Sequence, residues 1–236
     1  MTFDNLVQQL RAAHGDALLG VMVYGSTAAD VGASRGHNVL VVVRSLDVAA
    51  LQAAGAIATA WHDAGNPAPL TLTEAEWQSS RDVFAIEHAD IAERHRMLYA
   101  AHGFGPQPRT AVRDADIRRQ LEYELLALTL GVRSGIAAAG RDPKAQRAML
   151  AANASRAVAL MRAILRLEHR TIPSAPEAVC REVESVTGVA AAPFEAAIAQ
   201  RRGTDIPRAG LDVALSGFHG GLAALVAWVD ARPTPD

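Results

Sequence analysis

Hydrophobic and polar positions change their rhythm midway along the chain. Up to about Gly103 the pattern mixes solid apolar runs, alternation and helical stripes, and beyond Arg109 only helical spacing remains. Asp4 to His14 places Leu6, Val7 and Leu10 on one side and stops at Gly15, which predicts a first helix. Val21-Met-Val-Tyr24, ending in Gly25-Ser26, and the run Val39–Val43 after Asn38 are β-branched and bounded by glycine, as buried strands are. A second helix is predicted over Leu46–Gly65, with Leu51, Ala54, Ile57, Ala58 and Trp61 as its stripe and Asn66-Pro67 as its end. Pro69-Leu-Thr-Leu-Thr73 alternates like a strand, and Thr73-Glu-Ala-Glu76 has the form of a capping box opening a short helix through Ser80. Asp82–Glu87 is then predicted as a further strand.

The stretch Gly103–Arg109, with prolines at 106 and 108, is the expected boundary between a domain over residues 1–105 and another over 110–232. In the second, Ile117, Leu121, Leu125, Leu128 and Val132 recur at helical spacing from a start at Asp114 or Asp116. Gly140-Arg-Asp-Pro143 restarts the chain, and Leu150, Ala154, Ala157, Met161 and Leu165 form a second stripe. Further helices are expected over Glu177–Val186, Pro193–Arg201 and Leu211–Ala231, the last carrying Gly217, Gly220 and Gly221. A glycine inside a helix costs about 1 kcal/mol against alanine, so close helix–helix approach is the expected reason for them. The fold class that follows is α+β: a mixed sheet flanked by helices, then an antiparallel helical bundle.

A glycine-serine turn between two buried strands leaves backbone N–H groups and a hydroxyl for an anion, a common way to hold phosphate. Together with the strands around it, Gly25-Ser26 resembles the nucleotidyltransferase superfamily, in particular its small bacterial branch of kanamycin-type aminoglycoside nucleotidyltransferases. That family's pattern is an apolar strand, Gly-Ser, a loop, and a strand opening with Asp-x-Asp. The first half is present here and the second is not. With the apolar run kept intact, Gly36 and Asn38 stand at the two aspartate positions; shifted by two residues, Asn38 and Leu40 do. Either register gives one amide and no carboxylate pair.

Nucleotidyl transfer usually relies on Mg²⁺ bridging the triphosphate. Mg²⁺ prefers carboxylate, phosphate and water oxygens, and alternate strand residues share a face, so Asp-x-Asp aims two charges at one ion. Asn38 offers an uncharged oxygen and Gly36 or Leu40 offers none. The resemblance further implies a third carboxylate from a later strand, acting as general base toward an acceptor hydroxyl or as a metal contact, and Glu87 is its counterpart. The segment after it, Arg94-His-Arg-Met-Leu-Tyr99, is similar to the family's Leu-Tyr-Gly segment with Ala100 in place of glycine. Glu87 has an equal alternative as a strand-end partner of Arg94 or Arg96.

Other chemistry is excluded or demoted. His88, Asp90, Glu93 and His95 match no zinc spacing and are expected to be solvated or paired. Tyr24-Gly-Ser-Thr27 lacks the second glycine of a hydrolase elbow, since Ala28 stands there. Gly103-Phe-Gly105 reads as a linker, and Glu122 and Glu124 are expected to pair with Arg118 and Arg119 rather than bind a cationic acceptor.

Composition adds bounds. The chain has 236 residues, half of them hydrophobic, and a net charge of −2, which gives no footprint for nucleic acid. Cys180 is the only cysteine, no solid apolar run reaches about 18 residues, and Met-Thr-Phe-Asp-Asn has no basic-then-apolar lead, so a cytoplasmic protein without a membrane span is expected. The expectation for function is a nucleotidyltransferase-fold protein of weak or lost transfer activity that binds a nucleotide through Gly25, Ser26 and Asn38. Its alternative is an active enzyme modifying a hydroxyl of a small molecule such as an aminoglycoside, with Mg²⁺ as cofactor in that case. Self-association through the alanine-rich bundle stays open.

Overall fold

Two strands of unbroken apolar residues need cover on both faces, and the architecture supplies it. The computed structural model describes residues 1–25, 28, 36–101, 103–105 and 112–232. It divides into two compact units, Met1–Arg113 and Asp114–Asp236.

The first unit holds helix α1 (Phe3–His14), strand β1 (Leu18–Tyr24), β2 (Asn38–Val43), α2 (Val48–Asp63), β3 (Leu70–Thr73), α3 (Glu74–Ser79), α4 (Ala85–Glu93) and β4 (His95–Ala100). The strands form one mixed sheet in the order β3-β2-β1-β4. β1 runs antiparallel to β2 and to β4, and β2 runs parallel to β3 with Leu40 opposite Leu70. Val21, Val23, Val39, Val41 and Val43 pack with Leu6 and Leu10 of α1 and with Ile57 and Trp61 of α2. Met22, Leu40 and Val42 face the other way, onto Trp77 of α3 and Ile91 of α4. Burial on both faces is why these strands read as solid runs rather than alternating ones. Gly20 is required by packing: a Cβ there would sit 2.4 Å from the Phe104 ring.

The capping box forms as expected, the Thr73 amide donating to Glu76 Oε2 at 2.7 Å and the Glu76 amide to Thr73 Oγ1 at 3.2 Å. The second helix begins two residues later than expected, where Asp47 Oδ1 accepts from the Ala50 amide at 2.7 Å. Its stripe is only partly buried, because Ile57 and Trp61 are in the core while Leu51 is 48% exposed. One element needs correction. Asp82–Glu87 is no strand: a 3-10 turn at Ser80–Asp82 leads into α4, with the Phe84 amide donating to the Ser80 carbonyl and the His88 amide to the Phe84 carbonyl. Val83 and Phe84 are exposed, and Ala85, Ile86, Ala89 and Ile91 make the buried helical face. Glu87 therefore rides on a helix.

The second unit is helical throughout its described residues: α5 (Asp114–Ala139), α6 (Pro143–Leu167), α7 (Pro176–Thr187), α8 (Ala192–Arg201) and α9 (Leu211–Asp230). Every residue of the two long stripes is buried, Ile117 to Val132 on α5 and Leu150 to Leu165 on α6. Gly217 and Gly221 admit α8 closely, since a Cβ on them would lie 2.6 Å from Pro193 and 2.8 Å from Phe194, whereas Gly220 faces open space. Arg118, itself buried, donates to the Val229 carbonyl at the end of α9 and bonds Glu122, favourable for a cation at a helix C-terminus. Glu124 pairs with Arg156 of α6, and Arg119 with Asp116, instead of the local pairing expected for Glu124. By length and mean hydropathy alone (1.3 and 1.4), Pro143–Leu167 and Arg208–Asp230 could cross a membrane, a span the sequence was not expected to hold. Both contribute helices to the bundle core, and the first buries Arg162 and Arg166 there.

Candidate functional site

The site forms at the end of β1 in the first unit. β1 stops at Gly25, whose φ of +82° is a left-handed conformation that costs an L side chain about 1–2 kcal/mol. The Gly25 amide donates to the Arg94 carbonyl at 3.1 Å, and the Gly25 carbonyl accepts from the Ala28 amide at 3.1 Å. The Gly25 amide is thus already engaged, and Ser26 lies outside the described residues.

Opposite, β2 opens with Asn38 paired to Tyr24. Its entry is pinned from the end of α2. The His37 amide donates to Asn66 Oδ1 at 3.0 Å, Asn66 Nδ2 donates to the Trp61 carbonyl at 3.3 Å, and the Gly36 amide donates to the Gly65 carbonyl at 3.2 Å. These bonds fix where Asn38 emerges. A Cβ on Gly25 would meet Asn38 Nδ2 at 3.4 Å and Asp90 Oδ2 at 3.5 Å, so an amide and a carboxylate flank the turn. Asp90 comes from α4 and accepts at Oδ1 from Arg94 Nη2 at 2.7 Å.

Glu87 sits one helical turn before Asp90. Burial first, then the charges of Glu87 and Asp90, push the Tyr24 hydroxyl up to a pKa of about 12. Hence both carboxylates act on the end of β1. Sequence reasoning chose Glu87, Gly25 and Asn38 and set Asp90 aside; it missed Asp90 and Arg94 as members of the site. The available signal was the spacing Glu87-x-x-Asp90-x-x-x-Arg94, which places all three near one helical face.

The remaining histidines of this segment are engaged elsewhere. His88 stacks on Trp77 at 3.9 Å between centroids and bonds Ser80 Oγ at 3.1 Å. Burial, with Arg81 nearby, lowers its pKa to about 4 and keeps the ring neutral. His95 Nδ1 donates to the Ile91 carbonyl at 2.7 Å.

Among the described residues, the strands bring no carboxylate pair of the kind that holds Mg²⁺. β2 supplies Asn38, and Leu40, two residues on, is fully buried against Met22 and Trp77. The neighbouring strand is Leu70-Thr-Leu-Thr73, without a carboxylate. Asp90 is compensated by a guanidinium, which would repel a divalent ion. Among the described residues no cluster of three or more His, Cys, Asp or Glu side chains is placed to hold a metal.

Comparison with family models gives no match, and comparison with curated proteins gives none either. Solved structures do match. One is spectinomycin adenyltransferase AAD(9) from Enterococcus faecialis, solved with ATP and spectinomycin, at a TM-score of 0.58 and 11% identity over 94% of this chain and 98% of that one. At that identity the likeness is one of architecture: the chain shares the fold of that adenyltransferase, a mixed sheet flanked by helices and followed by a helical bundle.

Proposed function

We propose that this nucleotidyltransferase-fold protein binds a nucleotide at the Gly25-Ser26 turn and has weak or lost nucleotidyl-transfer activity. The observation that carries this reading is the charge state around the turn, where Asn38 replaces a strand carboxylate and Asp90 is tied to Arg94. Losing two metal-binding carboxylates removes several kcal/mol, roughly, of transition-state stabilisation, while holding a phosphate beside the turn needs neither. That the neighbouring fold was solved with ATP and spectinomycin supports a nucleotide and a small-molecule acceptor as partner classes. The net charge of −2 argues against nucleic acid. A cytoplasmic protein without membrane insertion remains the proposed setting, with self-association through the bundle as an open arrangement, and the domain limits remain those given above, 1–105 and 110–232.

A second reading is supported by Glu87 and Asp90 together. Two carboxylates one helical turn apart, both acting on Tyr24, could serve an active Mg²⁺-dependent enzyme in which Glu87 is the general base toward a small-molecule hydroxyl. Titration of the full chain with ATP and GTP, with Mg²⁺ or with EDTA, separates the two. Affinity indifferent to Mg²⁺ supports the first, whereas Mg²⁺-dependent binding abolished in Glu87→Ala supports the second.

A further inference from the structure

We infer that Arg94 is the phosphate-binding cation of this site, standing in for the divalent ion that the donor set does not accommodate. The inference rests on the nucleotide reading above and names the group that would make metal-free binding work. Arg94 is the cap residue just past the end of α4, and its own carbonyl accepts the Gly25 amide, so its backbone is fastened to the turn. Its guanidinium is used only in part: Nη2 donates to Asp90 Oδ1, while Nε and Nη1 are buried and have no hydrogen-bond partner among the described residues.

Buried charged donors without acceptors are rare, because each forfeits its hydration with nothing in return. Two of them on one planar fork, beside a turn whose flanks are Asn38 and Asp90, call for a ligand that brings closely spaced anionic oxygens. A phosphate or diphosphate group has that geometry, and guanidinium–phosphate pairing is often two-pronged. Asp90 has a definite part in this. It holds the guanidinium in place through one nitrogen and leaves the other two for the ligand. The ligand class is therefore a nucleoside di- or triphosphate bound through its phosphates without Mg²⁺. Inorganic pyrophosphate shares that chemistry.

The test is calorimetric titration of the full chain in EDTA with ATP, ADP, AMP and pyrophosphate, using wild type, Arg94→Ala, Arg94→Lys and the exposed Arg119→Ala as a charge control. Circular dichroism checks that each variant is folded, and Arg94→Gln replaces the alanine variant if that one is not. Expected are affinities that rise from AMP to ATP and fall about tenfold or more in Arg94→Ala, partial retention in Arg94→Lys, and no change in Arg119→Ala. ATP bound equally by wild type and Arg94→Ala overturns the role of Arg94 and leaves the nucleotide reading standing. Pyrophosphate bound through Arg94 with no nucleotide bound keeps the role of Arg94 and overturns the nucleotide reading. Binding of neither, with or without Mg²⁺, overturns both.

Discussion

Asp90→Asn separates two accounts of the site because stability and affinity respond in opposite directions. The substitution keeps shape and an oxygen for Arg94 but removes the charge from a pair 2.7 Å apart whose side chains are 22% and 20% exposed. Water reaches both partners, so the loss is well below that of a fully buried pair; an ion pair reduced to a hydrogen bond from the guanidinium to a neutral amide costs about 1 kcal/mol. For a chain of this size each kcal/mol corresponds to roughly 2–4 °C in melting temperature. Urea denaturation followed by circular dichroism would read this as a lower midpoint. At the same time the guanidinium loses its compensating charge and becomes a stronger anion receptor, so ATP affinity in EDTA should rise, by about tenfold at most. Were Asp90 instead a ligand of Mg²⁺, the variant would bind ATP less well, and only when Mg²⁺ is present. A Mg²⁺-dependent loss of affinity, with no gain in EDTA, would refute the reasoning.

Other consequences are open to measurement. His88 has a folded pKa of about 4 against an ordinary 6.5, so between those values the unfolded chain takes up a proton that the native chain does not. Stability contributed by the neutral ring is complete above pH 6.5 and disappears as pH falls through 4, a total of roughly 3 kcal/mol; denaturation midpoints from pH 7 to 4 should fall, and His88→Gln should flatten that slope. On α9, Gly220→Ala points into open space and should stabilise the chain by up to about 1 kcal/mol. Gly221→Ala and Gly217→Ala push a methyl onto Phe194 and Pro193 and should destabilise it, by about 1–2 kcal/mol net, in the same thermal melts. The double change Gly36→Asp with Asn38→Asp should strengthen Mg²⁺-dependent ATP binding, at a stability cost because Gly36 has a φ of +81°. Absence of any such gain would count against aligning these positions with the missing aspartates.

Much of the fold was legible because its signals are local. The stripes of α5 and α6, the capping box at Thr73 and the paired strands around Gly25 each follow from periodicity or from contacts a few residues apart. Val83-Phe-Ala-Ile-Glu87 was misread because a few apolar residues do not separate a strand from the first turn of a helix; what decides is that Val83 and Phe84 face solvent while Ile91, further on, reaches the core. The site was legible on the strands and obscure on α4. Asp90 and Arg94 meet Gly25 only because α4 packs under the sheet through Ile91, and that juxtaposition is tertiary. The pairing of Glu124 with Arg156 escaped for the same reason, since it joins two helices that local spacing treats separately.

The central claim, phosphate binding that has been uncoupled from metal-driven transfer, is tested most directly by pyrophosphate release. Wild-type protein saturated with ATP, supplied with Mg²⁺ and offered aminoglycoside acceptors including spectinomycin, should release pyrophosphate at no more than a trace above a protein-free blank while calorimetry shows ATP bound. Steady release that needs Mg²⁺ and acceptor, and that vanishes in Glu87→Ala, would contradict it.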